Sequence, residues 1–285
     1  MDTRFWGPSG WKLLHLISFD YAYSPKNAII YAKFFDTIPY IIPCKFCRSS
    51  LTDYYEQHPY THPSLSQTLS LSQTSSLSQT SSLSNGYINP LLDMKKWLYI
   101  IHNCVNHKLR KQGIQKDKNP SFAQVVKYYT ALSRESWQTQ LELCWDFLFA
   151  VAYHHPTIKQ EPMPDCPKDA IKGSICLQNK WNVLPMTKRI AQFNSFWISL
   201  PDVLPLEIQK KWKEVRITPT LSSRTSTLAW LWKMRCALDT DFKDPYTSIC
   251  KKIASYSSDC GKDKRAITCR KITKKTHKKT HKKKE

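Results

Sequence analysis

Hydrophobic residues recur every three to four positions along the first part of this chain, which is the period of an amphipathic helix. The pattern predicts a first helix over residues 11–19, starting from Pro8, and a second over residues 26–37. A third helix is predicted over residues 43–57, because proline suits the first turn. Since such patterns dominate the chain, the predicted fold class is all-α.

A change of composition interrupts this pattern. Residues 64–88 are rich in serine, leucine and glutamine and carry no charge, which predicts a flexible insertion. Helical periodicity resumes over residues 91–113, where Gly113 is placed to end the helix. It returns over residues 121–132, behind a serine cap. These elements define a first domain, predicted to span residues 1–135.

The overall charge and composition exclude some classes of protein. The chain has 285 residues and a net charge of +21, and residues 259–285 are rich in lysine. We predict a disordered tail that binds polyanions weakly, since no recognition motif accompanies the charge. Only six glycines are present and no Gly-rich phosphate-binding loop occurs, which argues against a nucleotide-binding parallel sheet. The absence of a signal peptide or a membrane-spanning stretch predicts a cytoplasmic protein.

The cysteines give the first indication of chemistry. Ten are present in a chain predicted to be cytoplasmic, where disulfides are rare. Cys44 and Cys47 follow Pro43, so we expect both on one face of a first helical turn. The amino end of a helix stabilises thiolate over thiol, and Lys45 and Arg48 add positive potential. The spacing therefore predicts a reversible redox pair.

Two other interpretations fit a closely spaced pair of cysteines. A thioredoxin-like centre needs strands around the cysteines, and none is predicted. Zinc is the other, because Cys44, Cys47, His58 and His62 have a spacing close to that of a zinc finger. Proline follows each histidine, which breaks the continuous helix that such ligands need. We predict no bound metal and keep a zinc-containing, basic nucleic-acid-binding module as the alternative function.

A second group of residues lies in the helix predicted over residues 91–113. Its members share one face at helical spacing: His102, Val105, Asn106 and Leu109. An imidazole, a carboxamide and an apolar wedge side by side suit a flat heteroaromatic ring with a polar edge. Lys108 and Lys111 can reach a pyrophosphate. An ordinary surface helix fits the same pattern when this segment is taken alone.

Taken together, the two groups resemble the Erv/ALR family of FAD-linked sulfhydryl oxidases, of the type encoded by large DNA viruses. Three motifs occur in the family's order. WGPSGWKLLHLIS resembles its first-helix signature, FFDTIPYIIPCKFC the approach to its redox pair, and WLYIIHNCVNHKLRK its flavin helix. The resemblance covers about residues 4–132, interrupted by the insertion, and implies a flavin-binding helical bundle.

The resemblance also implies roles for individual residues. Cys44 would exchange with an incoming protein dithiol, and Cys47 would face the flavin. The remaining FAD-binding positions implied by the family motifs are Gly7, Trp11, His15, Tyr23, His102, Asn103, Val105, Asn106, Lys108, Lys111 and Tyr128 or Tyr129. The implied enzyme oxidises protein dithiols and passes the electrons through FAD to molecular oxygen, producing hydrogen peroxide.

Members of the family often carry a shuttle pair of cysteines. No cysteine precedes Cys44, so a shuttle would have to follow the redox pair. The first candidates are Cys260 and Cys269, and the second are Cys166 and Cys176. Either pair would serve equally well as a structural disulfide.

Residues 136–258 are interpreted as a worn copy of the first domain. The aligned positions include Phe196 with Phe34, Pro201 with Pro39 and Pro205 with Pro43. The chemical residues are replaced: Leu206 and Gln209 stand at the cysteine positions, Phe149 at that of His15 and Arg235 at that of His102. We predict a mostly helical, flavin-free domain that packs as a partner subunit would. The chain would then be an internally paired monomer, with a homodimer as the other expectation.

The viral type of the family implies a setting. Such an enzyme would oxidise virion proteins in the host cytoplasm or virus factory, and packaging into the virion is a further expectation. This follows from the resemblance and not from the composition.

Overall fold

The protein is described here by a computed structural model that covers residues 1–62, 87–115, 117–156 and 186–257. Most of the predicted insertion, both candidate shuttle pairs and the basic tail lie outside the described residues. Helices form nearly all the regular structure in the described part, which confirms the all-α fold class. None of the described helices is both long and apolar enough to cross a bilayer.

Five helices and a small hairpin form the first half of the structure. They are α1 (Thr3–Asp20), α2 (Pro25–Ile41), α3 (Lys45–Gln57), strands β1 (Thr61–His62) and β2 (Tyr87–Ile88), α4 (Met94–Lys111) and α5 (Phe122–Leu132). The strands pair antiparallel, Thr61 with Ile88 and His62 with Tyr87.

The helix ends follow local side-chain chemistry. Asp2 caps α1 by accepting the N–H of Arg4 at 2.9 Å, so the helix begins well before the predicted start, and Pro8 lies inside it. After the last residue of α4, Gly113 has a φ of 70°, which confirms the predicted end of this helix. Ser121 caps α5 in a capping box with Gln124, which confirms the predicted serine cap.

Trp97 on α4 holds the first half together. Its ring is 3% exposed and meets Phe35 of α2 edge-on at a centroid distance of 5.4 Å. The ring of Tyr55 on α3 lies 5.2 Å away on another side. The Trp97 indole N–H donates to the His58 carbonyl at 2.8 Å. One side chain therefore fixes α2, α3 and α4 relative to each other.

The second half contributes six more described helices. They are α6 (Trp137–Glu142), α7 (Trp145–Tyr153), α8 (Met186–Val203), α9 (Leu206–Glu214), α10 (Arg224–Leu238) and α11 (Tyr246–Ser257). Their core continues directly into that of the first half, so one cluster of buried hydrophobic side chains runs through both.

The two halves meet helix against helix. Helix α8 packs along α2, where Phe34 and Phe196 stack at 5.6 Å, and α7 packs along α1. The helices approach closely at Gly10 of α1, because a Cβ there would lie 2.9 Å from the ring of Phe147. A glycine is therefore required at position 10 for these helices to pack at this distance.

Matching positions of the halves make matching contacts. Trp197 and Trp230 meet at 5.3 Å and 82°, close to the 5.4 Å and 88° of Phe35 and Trp97 at the aligned positions. Each half also keeps a proline inside its second long helix, at the positions aligned from the sequence. These contacts support the interpretation of the second half as a copy, which stays a prediction.

Candidate active site

Cys44 caps helix α3 with its own side chain. Its Sγ accepts the backbone N–H of Cys47 at 3.3 Å, where other helices of this protein use a serine or aspartate. Cys44 is buried and Cys47 is half-buried, and the two are not joined by a disulfide in this structure. The predicted place of Cys44 at a helix amino end is confirmed.

The surroundings of Cys44 favour its thiolate. A hydrogen bond from the Cys47 side chain lowers the pKa of Cys44 to about 6; burial opposes this shift, and the backbone N–H of Cys47 and the charge of Arg48 support it. At neutral pH the sulfur is therefore mostly ionised. A low-pKa thiol is also a good leaving group in disulfide exchange.

Two histidines face each other between α1 and α4. His15 on α1 and His102 on α4 share a hydrogen bond of 3.1 Å between Nε2 and Nδ1. Trp11 stacks on His102 at 3.9 Å, and Tyr129 stacks on His15 at 4.6 Å. The structure thus brings together three residues of two predicted motifs, and Tyr129 from α5, into one aromatic cluster.

Both imidazoles are neutral at physiological pH. Burial lowers the pKa of His15 to about 3, with the charges of His102 and Lys12 adding to the shift. Burial likewise lowers the pKa of His102 to about 4. His15 Nδ1 has no hydrogen-bond partner among the described residues, although it is fully buried. A buried polar atom without a partner costs free energy, so this nitrogen indicates a place for a ligand.

We expect the folded protein to lose stability in mild acid because of these histidines. Their folded pKa values lie below the unfolded value of about 6.5, so the unfolded chain binds protons first as the pH falls. The stabilisation is complete above pH 6.5 and is lost towards the folded pKa values. Denaturant unfolding at pH 7.5 and 5.5 should differ by about 1 kcal/mol for each of His15 and His102. A double replacement of both by Phe that leaves the difference unchanged would contradict this assignment.

One lysine lies at the edge of the cluster, and two others lie on α4. Lys12 of α1 contacts the Tyr128 hydroxyl, and its Nζ lies 3.8 Å from the centre of that ring. Lys108 of α4 donates to the Ser50 hydroxyl of α3, and Lys111 is exposed. Lys12 was not predicted: it stands beside Trp11 in the first motif, but only the folded contact with α5 distinguishes it from a surface lysine.

The other predicted positions differ in their surroundings. Asn103, Val105 and Asn106 are half-buried along α4. A Cβ at Gly7 would meet nothing within 4 Å, so this glycine leaves open space next to α1. Tyr23 is 48% exposed in the connection between α1 and α2.

The zinc alternative gains no support from the described residues. Among the described residues, no group of three or more His, Cys, Asp or Glu side chains is arranged to hold a metal ion. Cys44, Cys47 and His58 therefore do not converge. His58 lies instead with its Nε2 3.8 Å from the Sγ of Cys104 on α4, because the chain turns away after α3. The side chain of His62 lies outside the described residues.

Comparisons with known proteins agree on one family. A family model described as Erv1 / Alr family matches residues 8–127. A relative from Acanthamoeba polyphaga mimivirus, named a probable FAD-linked sulfhydryl oxidase, is 26% identical over 114 residues, which are 39% of this chain and 64% of the relative. A relative from Invertebrate iridescent virus 6 is named a putative FAD-linked sulfhydryl oxidase. It is 27% identical over 113 residues, which are 39% of this chain and 85% of that protein.

The match is limited in extent. The chain covers just under two thirds of the mimivirus protein, and no solved structure matches it significantly. The matched segment nevertheless contains α2, α3 and α4 in full, and therefore both cysteines and the His102 segment. Residues 8–127 of this chain are therefore similar to the Erv1/Alr family.

Proposed function

We propose that this chain is an FAD-dependent sulfhydryl oxidase, which forms disulfide bonds in protein dithiols and passes the electrons to oxygen, producing hydrogen peroxide. The observation that carries the proposal is the Cys44–Cys47 pair at the amino end of α3, with an acidic thiol, packed against the helix that bears His102. The activity in the names of the two viral relatives supports it.

We infer that the cysteine pair and the aromatic cluster belong to one site, because the helices that carry them pack together. Helices α3 and α4 pack together and are tied by the hydrogen bond from Lys108 to Ser50. Tyr54 of α3 is half-buried, which raises its pKa to about 12, and the charges of Cys104 on α4 and of Cys47 add to this. The charges of Cys47 on α3 and of Cys104 on α4 both raise the pKa of Tyr54, and Cys104 is two positions from His102.

The residues present fit an FAD group. Trp11, His15, His102 and Tyr129 offer flat faces for stacking on a heteroaromatic ring system. The partnerless Nδ1 of His15 offers a polar contact, and Lys12, Lys108 and Lys111 offer positive charge to a pyrophosphate. We propose Asn103, Val105 and Asn106 as further contacts along α4, with Gly7, Tyr23 and Tyr128 at the edges.

The chain's own residues account for the exchange steps. A substrate thiolate attacks the Sγ of Cys44 in the oxidised pair, the Cys44–Cys47 bond breaks, and Cys47 leaves as a thiolate. A second substrate thiolate then attacks the substrate sulfur of this mixed disulfide, and Cys44 leaves. The substrate gains a disulfide and the pair gains two electrons. The low pKa of Cys44 helps the second step, because a more acidic thiol is a better leaving group.

FAD, when bound, supplies the chemistry that side chains lack, namely accepting two electrons and passing them to oxygen. Cys47 is the half-buried member of the pair, and Cys44 the buried one. We propose Cys47 as the cysteine that faces the cofactor, because it is the second cysteine of the pair that resembles the family's redox motif. The neutral state of His15 and His102 suits them to contact an uncharged ring without adding positive charge.

We further propose that the second half, residues 136–258, is a degenerate copy that replaces a partner subunit and binds no flavin. Arg235 stands at the position of His102 and lies 5.3 Å from the ring of Trp145, the residue aligned with Trp11. Both oxygens of Glu142 accept from Arg235 at 2.8 Å, and Phe242 lies 3.9 Å from the guanidinium on another side. An ion pair between aromatic rings thus fills the space that corresponds to the first half's histidine cluster.

The purified protein should be yellow and should release about one FAD for each chain, because only the first half has the histidine cluster. The measurement is the flavin absorbance after denaturation, together with oxygen consumption with a dithiol and zinc analysis. Arg235→Ala provides a control in the second half, and should leave the flavin content unchanged. Colourless folded protein, or stoichiometric zinc without flavin, would contradict the proposal and favour the nucleic-acid-binding alternative.

A further inference from the structure

A buried arginine next to the redox pair has no acidic partner in the part of the chain that the structure describes. Arg48 lies one turn after Cys44 on α3 and is only 6% exposed. Its Nη1 donates to the Ile42 carbonyl at 2.8 Å, and its Nε is buried without a hydrogen-bond partner among the described residues. No carboxylate of the described residues forms an ion pair with it. A buried guanidinium without a counter-ion costs free energy.

A second buried cation comes from the other half of the chain. Arg189 of α8 is 9% exposed, and α8 packs along α2, which leads directly into α3. Burial and, after it, the charge of Arg189 lower the pKa of Arg48 to about 10, although Cys44 and Cys47 act to raise it. Among the described residues, the two thiols are thus the groups that can supply negative charge to Arg48, beside the neutral carbonyl of Ile42.

The balance of charge depends on the redox state of the pair. In the disulfide, neither sulfur carries charge, and Arg48 and Arg189 repel each other without compensation. In the reduced pair, the Cys44 thiolate attracts Arg48 and so offsets the repulsion that Arg48 experiences from Arg189. The N-terminal amino group also acts on Cys44 in this direction, and the hydrogen bond from Cys47 holds the sulfur in place. His154 also interacts with the charge of Arg48, but burial lowers the pKa of His154 to about 3 and keeps it neutral.

We propose that Arg48 and Arg189 form an uncompensated cation pair whose counter-ion is the Cys44 thiolate, so that the second half of the chain makes the Cys44–Cys47 disulfide a stronger oxidant. This rests on the proposed function of the pair. Stabilising the reduced form favours its formation from a substrate dithiol, in which two electrons and two protons leave the substrate as its disulfide forms. Arg189 does not touch the reacting sulfurs; it is a positioning residue that acts through Arg48.

The test is the thiol–disulfide equilibrium of the holoprotein in glutathione buffers without oxygen, read by alkylation and mass spectrometry of the peptide that contains Cys44 and Cys47. Arg189→Gln should shift this equilibrium towards the disulfide by about tenfold, or about 30 mV. Arg189→Lys should restore most of the wild-type value. Arg224→Gln is the matched control, since Arg224 is exposed in the same half and acts on His154 and not on the cysteines.

Two further readouts separate this role from a structural one. The pH at which Cys44 becomes reactive towards iodoacetamide in the reduced protein should rise in Arg189→Gln and stay unchanged in Arg224→Gln. The oxidised Arg189→Gln protein should unfold at the same temperature as the wild type or higher, because an uncompensated buried charge has been removed. An unshifted equilibrium, or equal shifts in the two variants, would overturn the inference.

The outcome is independent of the proposed oxidase activity. The glutathione equilibrium requires neither oxygen nor turnover. A protein without flavin or oxygen consumption would refute the proposed function and leave the effect of Arg189 measurable. A normal oxidase with an unshifted equilibrium in Arg189→Gln would refute only the present inference.

Discussion

Replacing Cys47 with serine should reduce oxygen consumption with a dithiol substrate at least about a thousandfold while the flavin stays bound. A serine hydroxyl cannot form the disulfide that accepts the substrate's electrons, so the relay is interrupted at its first covalent step. The change removes one sulfur atom at a half-buried position and should leave the packing of α3 intact. The measurements are the rate of oxygen uptake and the FAD content of the same preparation.

The chain offers a matched control for this experiment. Cys104 is also half-buried and lies on the helix that carries His102, but its pKa is raised by burial and it contacts His58. Cys104→Ser should therefore keep most of the activity. If Cys47→Ser remained active, or if both variants lost activity and flavin together, the cysteine pair would be structural and not catalytic.

Replacing Gly10 with leucine should destabilise the protein by about 3 kcal/mol, since new atoms would be forced into a filled core. The ring of Phe147 is 1% exposed and packs at 6.1 Å from Trp6 and 6.4 Å from Phe196. It therefore has little freedom to move aside for a side chain at position 10. Denaturant unfolding measures the loss, and a broadened transition would indicate that the two halves separate.

Gly7 provides the comparison within the same helix. Its Cβ would meet nothing within 4 Å, so Gly7→Leu should change stability by no more than about 1 kcal/mol. The flavin content of this variant reports separately on its proposed place at the edge of the cofactor site. Equal losses of stability in the two variants would show that α1 and α7 do not depend on close contact at Gly10.

The sequence predicted the all-α class, the helix amino end at Cys44 and the stop at Gly113, because each depends on a few neighbouring residues. The start of α1 was predicted wrongly. Pro8 is typical of a first turn, but the Asp2 cap and burial of Trp6 extend the helix past it towards the amino end. Local preferences yield here to packing against the second half.

The site was predicted in part, for a similar reason. His15 and His102 were identified from motifs, but neither their mutual hydrogen bond nor the stacking of Tyr129 has a signal in sequence spacing. Lys12 and Arg189 were missed, since each acquires its role from a helix distant in the chain. Periodicity specifies which face of a helix is buried, whereas the neighbour across the interface follows only from the fold.

The use of the Cys44 sulfur as the cap of α3 would link the proposed catalysis to backbone order. Ionised Cys44 is a good acceptor for the N–H of Cys47, and a sulfur that has entered a disulfide is a much poorer one. Each catalytic cycle would thus weaken and then restore the first turn of the helix that presents both cysteines. The first turn of α3 would be less ordered in the oxidised pair, which reacts with the substrate thiol, and more ordered in the reduced pair.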